Sequence, residues 1–204
     1  MLRTITNSGL HGLWSTRRHQ LVFYIFLLTV FVHAVPSYAA KRKAPTDAEL
    51  IAMAGTACKN AKKPVNVPLL QRLLDLEREH KVPPYAKGIT LAAACRESGY
   101  RAKPRRGDGG KAVGILQMWP WWERKYKIDR ESVDQSVNAW LTQINRSVSK
   151  AKRKCKRPWN PWLVAQAWIG SGPQKWRCRY SRHYRLLRYW KWKLHLTKKR
   201  KPCN

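Results

Sequence analysis

Arg96 to Trp122 reads RESGYRAKPRRGDGGKAVGILQMWPWW, and the fold turns on how this stretch is placed. Upstream, from about Ala86 through Ile89, Leu91, Ala92, Ala93, Ala94 and Cys95 to Glu97 and Ser98, the chain is apolar nearly all round, the pattern of a buried helix. Downstream, Gly99, Pro104, Gly107, Gly109 and Gly110 make a long loop with room for one small β-hairpin, and Trp119, Trp121 and Trp122 close it. Glu97 therefore stands where a buried helix meets a glycine loop. A carboxylate there is expected to be desolvated, which disfavours its charged form and raises its pKa. That is the state from which a general acid hands a proton to a leaving oxygen. The plainer alternative is a Glu emerging at a helix end and pairing with Arg96 or Arg101.

Working outward, periodicity predicts a helix over about Ala48–Ala61, capped by Thr46 or Asp47, and a second over Leu69–His80 with Leu69, Leu70, Leu73, Leu74 and Leu76 on its apolar stripe. Pro83-Pro84 ends the second. Further helices are expected near Trp119–Tyr126, Val133–Lys152, Pro161–Trp168 and Arg182–Leu194. Strand signals are weak. The fold class expected is mainly α, a single helical domain with at most a small β-hairpin. Its parts would be a signal peptide over 1–39, a basic linker and N-terminal helix over 40–63, the main domain over 64–194 and a basic tail over 195–204.

The 204 residues carry 42 Lys and Arg against 11 Asp and Glu, a net charge of +31. Gln135 to Asn204 holds 19 Lys and Arg and no acid. Such an excess predicts an anionic partner: acidic wall polymers or lipids through a basic surface, or nucleic acid. The amino-terminal segment argues against nucleic acid. Arg17, Arg18 and His19 form a basic region, Leu21 to Val32 is uncharged and apolar, and Ser37 and Ala39 supply small residues for cleavage near Ala39. Secretion or delivery to a periplasm is expected, with no specific nucleic-acid partner.

The five cysteines are Cys58, Cys95, Cys155, Cys178 and Cys203. No CxxC pair and no Cys/His cluster of metal type occurs among them, so no metal site is expected. A Cys155–Cys178 bridge would staple the region around Trp168, and Cys58–Cys95 would tie two helices together. Spacing alone does not choose the connectivity, and Cys203 in the polar tail is the expected odd one.

Four short motifs, in order, resemble those of soluble lytic transglycosylases. They are Arg96-Glu97-Ser98-Gly99-Tyr100; Gly114-Ile115-Leu116-Gln117-Met118 with Pro120 following; Ala167-Trp168-Ile169 before Gly170-Ser171-Gly172-Pro173; and Ser181-Arg182-His183-Tyr184. Goose-type lysozymes share similar motifs. The resemblance spans about Pro84 to Trp190 and implies the lysozyme-like fold and a peptidoglycan glycan strand as substrate. It makes Glu97 the catalytic acid for the bond between N-acetylmuramic acid and N-acetylglucosamine, with a 1,6-anhydro product. Ser98, Gln117, Met118 and Trp168 would line the substrate site, and Tyr184 would orient Glu97. The chain departs from the family at Trp168-Ile169, where Tyr-Asn is usual, and at Tyr180-Ser181, where Pro-Glu is usual. Asp108, in Gly107-Asp108-Gly109-Gly110, resembles a goose-type lysozyme carboxylate that activates water in inverting hydrolysis. It is equally a residue favoured in a tight turn among glycines. A non-catalytic cationic module binding wall or membrane is the remaining alternative. No cofactor is suggested, and a monomer is expected.

Overall fold

The computed structural model describes residues 44–155, 160–169 and 177–199. The signal-peptide reading of 1–39, the turn at Gly170–Pro173 and Cys203 lie outside them. Among the described residues there are seven α-helices and no strand: α1 (Asp47–Ala57), α2 (Val67–Glu79), α3 (Ile89–Glu97), α4 (Pro120–Tyr126), α5 (Val133–Lys154), α6 (Pro161–Ile169) and α7 (Arg182–Lys199). The protein is mainly helical, as its periodicity predicts. Where a hairpin could have formed there are only two isolated antiparallel bridges, Gly107 with Ala112 and Val113 with Met118. Five glycines between Gly99 and Gly114 leave too little side chain there to hold a ladder.

Local chemistry sets the helix ends. Thr46 and Glu49 form a capping box on α1: the Glu49 N–H donates to Thr46 Oγ1 (3.2 Å), and the Thr46 N–H donates to Glu49 Oε2 (2.8 Å). The helix stops at Ala57 instead of reaching Ala61, because Cys58 turns extended and joins Cys95 in a disulfide. Asn66 caps α2 by accepting from the Leu69 N–H (3.1 Å). Pro83 and Pro84 delay the start of α3: a 3-10 turn over Pro84–Ala86 and Gly88, at φ 92°, come first. α7 continues beyond Leu194 to Lys199, so the expected basic tail is in part helix.

The described residues belong to one compact unit, Ala44–Asn204. α5 packs along α6, α3 lies against α7 and α2, and α1 touches α2, α3 and α7. Leu50 and Ala54 of α1 are wholly buried beside Leu70, Ile89, Leu187 and Trp190, so the expected N-terminal helix packs into the same core. Cys58–Cys95 ties the end of α1 to α3, and Cys155–Cys178 ties the end of α5 to the segment before α7. No helix among the described residues is long and apolar enough to cross a membrane.

One carboxylate is fully inside. Glu77, on α2, accepts from the N–H of Gly88 (2.6 Å), the N–H of Thr90 (2.7 Å) and the Thr90 hydroxyl (2.6 Å). It thus caps the amino end of α3, where Gly88 has no side chain to do so. Burial pushes Glu77 up to about 7 from 4.5, against the pull of these hydrogen bonds and of the charge on Lys191. Burial in turn lowers Lys191 to about 8 from 10.5. Because the folded value of Glu77 is the higher one, the stability tied to its neutral form is complete below pH 4.5 and is lost as pH rises through about 7. Denaturant titrations are expected to show the wild type weakening across that window by at most ~3 kcal/mol. Glu77→Gln has nothing to titrate and should lack this fall.

Candidate active site

Glu97 is the last residue of α3, and the turn after it explains its placement. Ser98 Oγ donates back to the Ala94 carbonyl (2.9 Å), and the Gly99 N–H reaches the Cys95 carbonyl (3.2 Å). Gly99 has φ 61°, and a Cβ on it would lie 2.1 Å from the Asn60 carbonyl oxygen. Only glycine allows this approach. The end of α3 is therefore pressed against the segment after α1, at the place where Cys58–Cys95 also joins them. Glu97 keeps 36% of its side chain exposed, so it is less desolvated than expected at the end of so apolar a helix.

Its partner is an imidazole, not Arg96 or Arg101. His183 Nε2 lies 2.8 Å from Glu97 Oε1. Behind His183 the hydrogen bonds continue inward, with His183 Nδ1 facing Gln166 Nε2 at 3.2 Å and Gln166 Oε1 accepting from the Ser181 hydroxyl. Ser181 Oγ accepts from the N–H of Tyr184 (3.0 Å) in the first turn of α7. The order of donors decides the tautomer. Ser181 gives its proton to the Gln166 oxygen, so the Gln166 amide nitrogen faces His183 and donates to Nδ1. The imidazole proton is then on Nε2, where it is donated to Glu97. Ser181, Gln166 and His183 are all buried, and Trp140 meets the imidazole edge-on. Three helices contribute: α3 carries the carboxylate, α7 the imidazole and α6 the amide.

The other carboxylates are spent on structure. Glu79 and Asp134 hold Arg72, Asp47 holds Arg78 and Lys87, and Asp75 also meets Arg78. Glu123 holds Arg130, Glu131 holds Arg106, and Asp129 accepts from the Glu131 N–H. Glu49 and Glu77 cap helices. Glu97, by contrast, combines a buried imidazole on one oxygen with substantial exposure.

The remaining expected site residues divide. Gln117, at φ 48°, donates from its amide to the Gly114 carbonyl (3.1 Å), and its Oε1 lies where a Cβ on Gly107 would be. It shapes its own turn. Gly114 in that turn cannot be replaced without a clash, since a Cβ would come within 1.9 Å of the Arg130 carbonyl. Met118 is core, 3% exposed, and Ser98 is buried with its hydroxyl engaged. Trp168 is buried too, and its indole N–H donates to the Arg177 carbonyl (3.0 Å). Tyr184 meets Tyr180 edge-on, with ring centres 5.2 Å apart, and the orienting contact on Glu97 comes from the residue before it.

Asp108 begins a 3-10 turn at φ 48° and accepts the Trp119 indole N–H at 3.1 Å. It positions an aromatic ring. Trp119 is 45% exposed with Lys111 over it, Trp121 is also exposed, and Trp122 is core.

His183, Gln166 and Glu77 escape a reading of motifs. His183 lies inside a quoted motif, yet its place beside Glu97 depends on α3 meeting α7, a contact between residues far apart in the chain. Gln166 had one faint signal, a single amide in an otherwise apolar helix. Among the described residues no group of three His, Cys, Asp or Glu could hold a metal ion. No family model, curated protein or solved structure matches the chain.

Proposed function

We propose that the chain is an exported peptidoglycan-cleaving enzyme, a lytic transglycosylase in which Glu97 is the single acid and base. The observation that carries this reading is the asymmetry of the carboxyl group: Oε1 accepts from the buried imidazole of His183, on a side chain that is otherwise open. Oε2 is then the oxygen left to carry a proton. In the cleavage step Oε2–H protonates the oxygen linking N-acetylmuramic acid C1 to N-acetylglucosamine C4. The C1–O bond breaks and leaves an oxocarbenium-like sugar beside the new carboxylate. His183 Nε2–H stabilises that carboxylate. The carboxylate next accepts the proton of the muramic C6 hydroxyl as its oxygen attacks C1, giving the 1,6-anhydro sugar and restoring Glu97. No water is consumed.

Asp108 supports this outcome over inverting hydrolysis. One of its oxygens holds Trp119, and its left-handed backbone shapes the turn. Two disulfides fit an oxidising compartment, in keeping with export.

The test is mass spectrometry of the soluble products from purified peptidoglycan treated with the chain. Products ending in 1,6-anhydro-muramic acid support the proposal. Reducing ends would make the protein a hydrolase and return Asp108 to candidacy, and no soluble product from several wall types would end the enzyme reading. His183→Ala should lower kcat roughly 10- to 100-fold, with KM little changed, because the carboxyl loses its orienting donor and not its substrate contacts.

A further inference from the structure

The outward face of α7 has no role in the site just described. Its exposed positions are Arg182, Arg185, Arg188, Tyr189, Trp192 and Lys193, which recur at helical spacing along one side of the helix. At 1.5 Å per residue the stripe is about 16 Å long and straight. The inward face, with His183, Leu187 and Trp190, is buried. None of the four cations has a carboxylate within ion-pair distance among the described residues, and no Asp or Glu follows Asp134 in the chain. Two large aromatics interrupt the cations: Tyr189 is 45% and Trp192 54% exposed.

We propose that this stripe docks the protein on an anionic lipid surface. Charge complementarity selects an anionic partner, since four unneutralised cations on one face attract a negative surface at about a tenfold gain or less for each. The aromatics select lipid over a polymer strand. Tyr189 stacks on Trp192 with centroids 6.0 Å apart, and Lys193 Nζ lies 4.9 Å from the Tyr189 ring centre. Stacking a base or a sugar needs a ring standing clear, whereas here Tyr189 is already engaged. A paired Tyr and Trp flanked by Arg and Lys suits the headgroup level of a bilayer, where amphipathic rings settle beside cations. The row is straight, as a planar surface requires. Because the apolar side of α7 belongs to the core, docking is peripheral, with two rings as shallow anchors and no insertion of the helix.

The experiment is co-sedimentation of the full chain with phosphatidylcholine vesicles and with vesicles containing phosphatidylglycerol, at low and at physiological salt. Binding is expected only with phosphatidylglycerol and is expected to weaken steeply with salt. The triple variant Arg185→Gln, Arg188→Gln, Lys193→Gln should bind on the order of 100-fold more weakly. Tyr189→Ser with Trp192→Ser should also weaken binding, and should do so at every salt concentration. All five positions are exposed, so both variants should keep the wild-type melting temperature, which checks that they fold. Equal binding to both vesicle types, undiminished binding by the triple variant, or release from vesicles by an equal phosphate concentration of an oligonucleotide would overturn the proposal. The readout does not depend on catalysis, so it stands or falls apart from glycan cleavage.

Discussion

Glu97→Gln is expected to abolish glycan cleavage and leave the fold untouched. The amide keeps the shape of the side chain and an oxygen that accepts from His183 Nε2–H, so the contact between α3 and α7 survives. What it cannot do is release a proton to the glycosidic oxygen or take one from the C6 hydroxyl. Positioned proton transfer contributes about 10²- to 10⁴-fold, and here one group serves both halves of the reaction, so a loss of roughly 10³-fold or more in kcat is expected. Release of anhydro-sugar products, measured beside the thermal midpoint, checks it. A variant within tenfold of the wild type would remove Glu97 from the chemistry. Binding of the variant to intact peptidoglycan should persist, because the exposed aromatic and cationic groups are unchanged.

The second large effect is on stability. Glu77→Ala removes the acceptor of two backbone N–H groups, at Gly88 and Thr90, in a place that water does not reach. The Thr90 hydroxyl keeps an alternative in the Leu73 carbonyl (3.2 Å), whereas the two amides donate to Glu77. Leaving two buried backbone donors unpaired costs about 3–5 kcal/mol, or roughly 10 °C in the thermal midpoint for a chain of this size. Denaturant unfolding at pH 5 measures it. A change below 1 kcal/mol would mean that water replaces the carboxylate at the α3 end. Activity should fall with stability, since α3 carries Glu97 at its other end.

The helices were legible because their apolar positions recur at helical spacing and their ends carry local chemistry, such as the Thr46 box, the Asn66 cap and the Pro83-Pro84 break. Gly99 and Gly114 were legible as glycines, although the reason each is needed is a carbonyl of a distant loop, at Asn60 and Arg130. Roles were harder to read where a residue's chemistry allows two uses. Met118 and Trp168 could pack or could touch a ligand, and in the structure both are buried. Gln117 could bind a sugar or close its own turn, and it closes the turn. His183 and Gln166 were illegible for a different reason. His183 carries no local signal and Gln166 only that of a lone amide in an apolar helix, and the chain of bonds from Ser181 to Glu97 exists only once α3, α6 and α7 have met.

The Cys58–Cys95 bridge has a temporal meaning. It fastens the helix bearing Glu97 only two residues before the carboxylate, and it closes a loop with a sequence separation of 37. Closure of that length is worth about 4 kcal/mol on chain-entropy grounds. In a thiol-reducing compartment the two sulfurs stay apart, and the end of α3 keeps its packing, the Gly99–Asn60 approach and the imidazole but loses its covalent tie to α1. The carboxylate therefore gains its full anchorage as the chain is oxidised. The anchorage of the Glu97 carboxylate is thereby coupled to the redox state of two sulfurs.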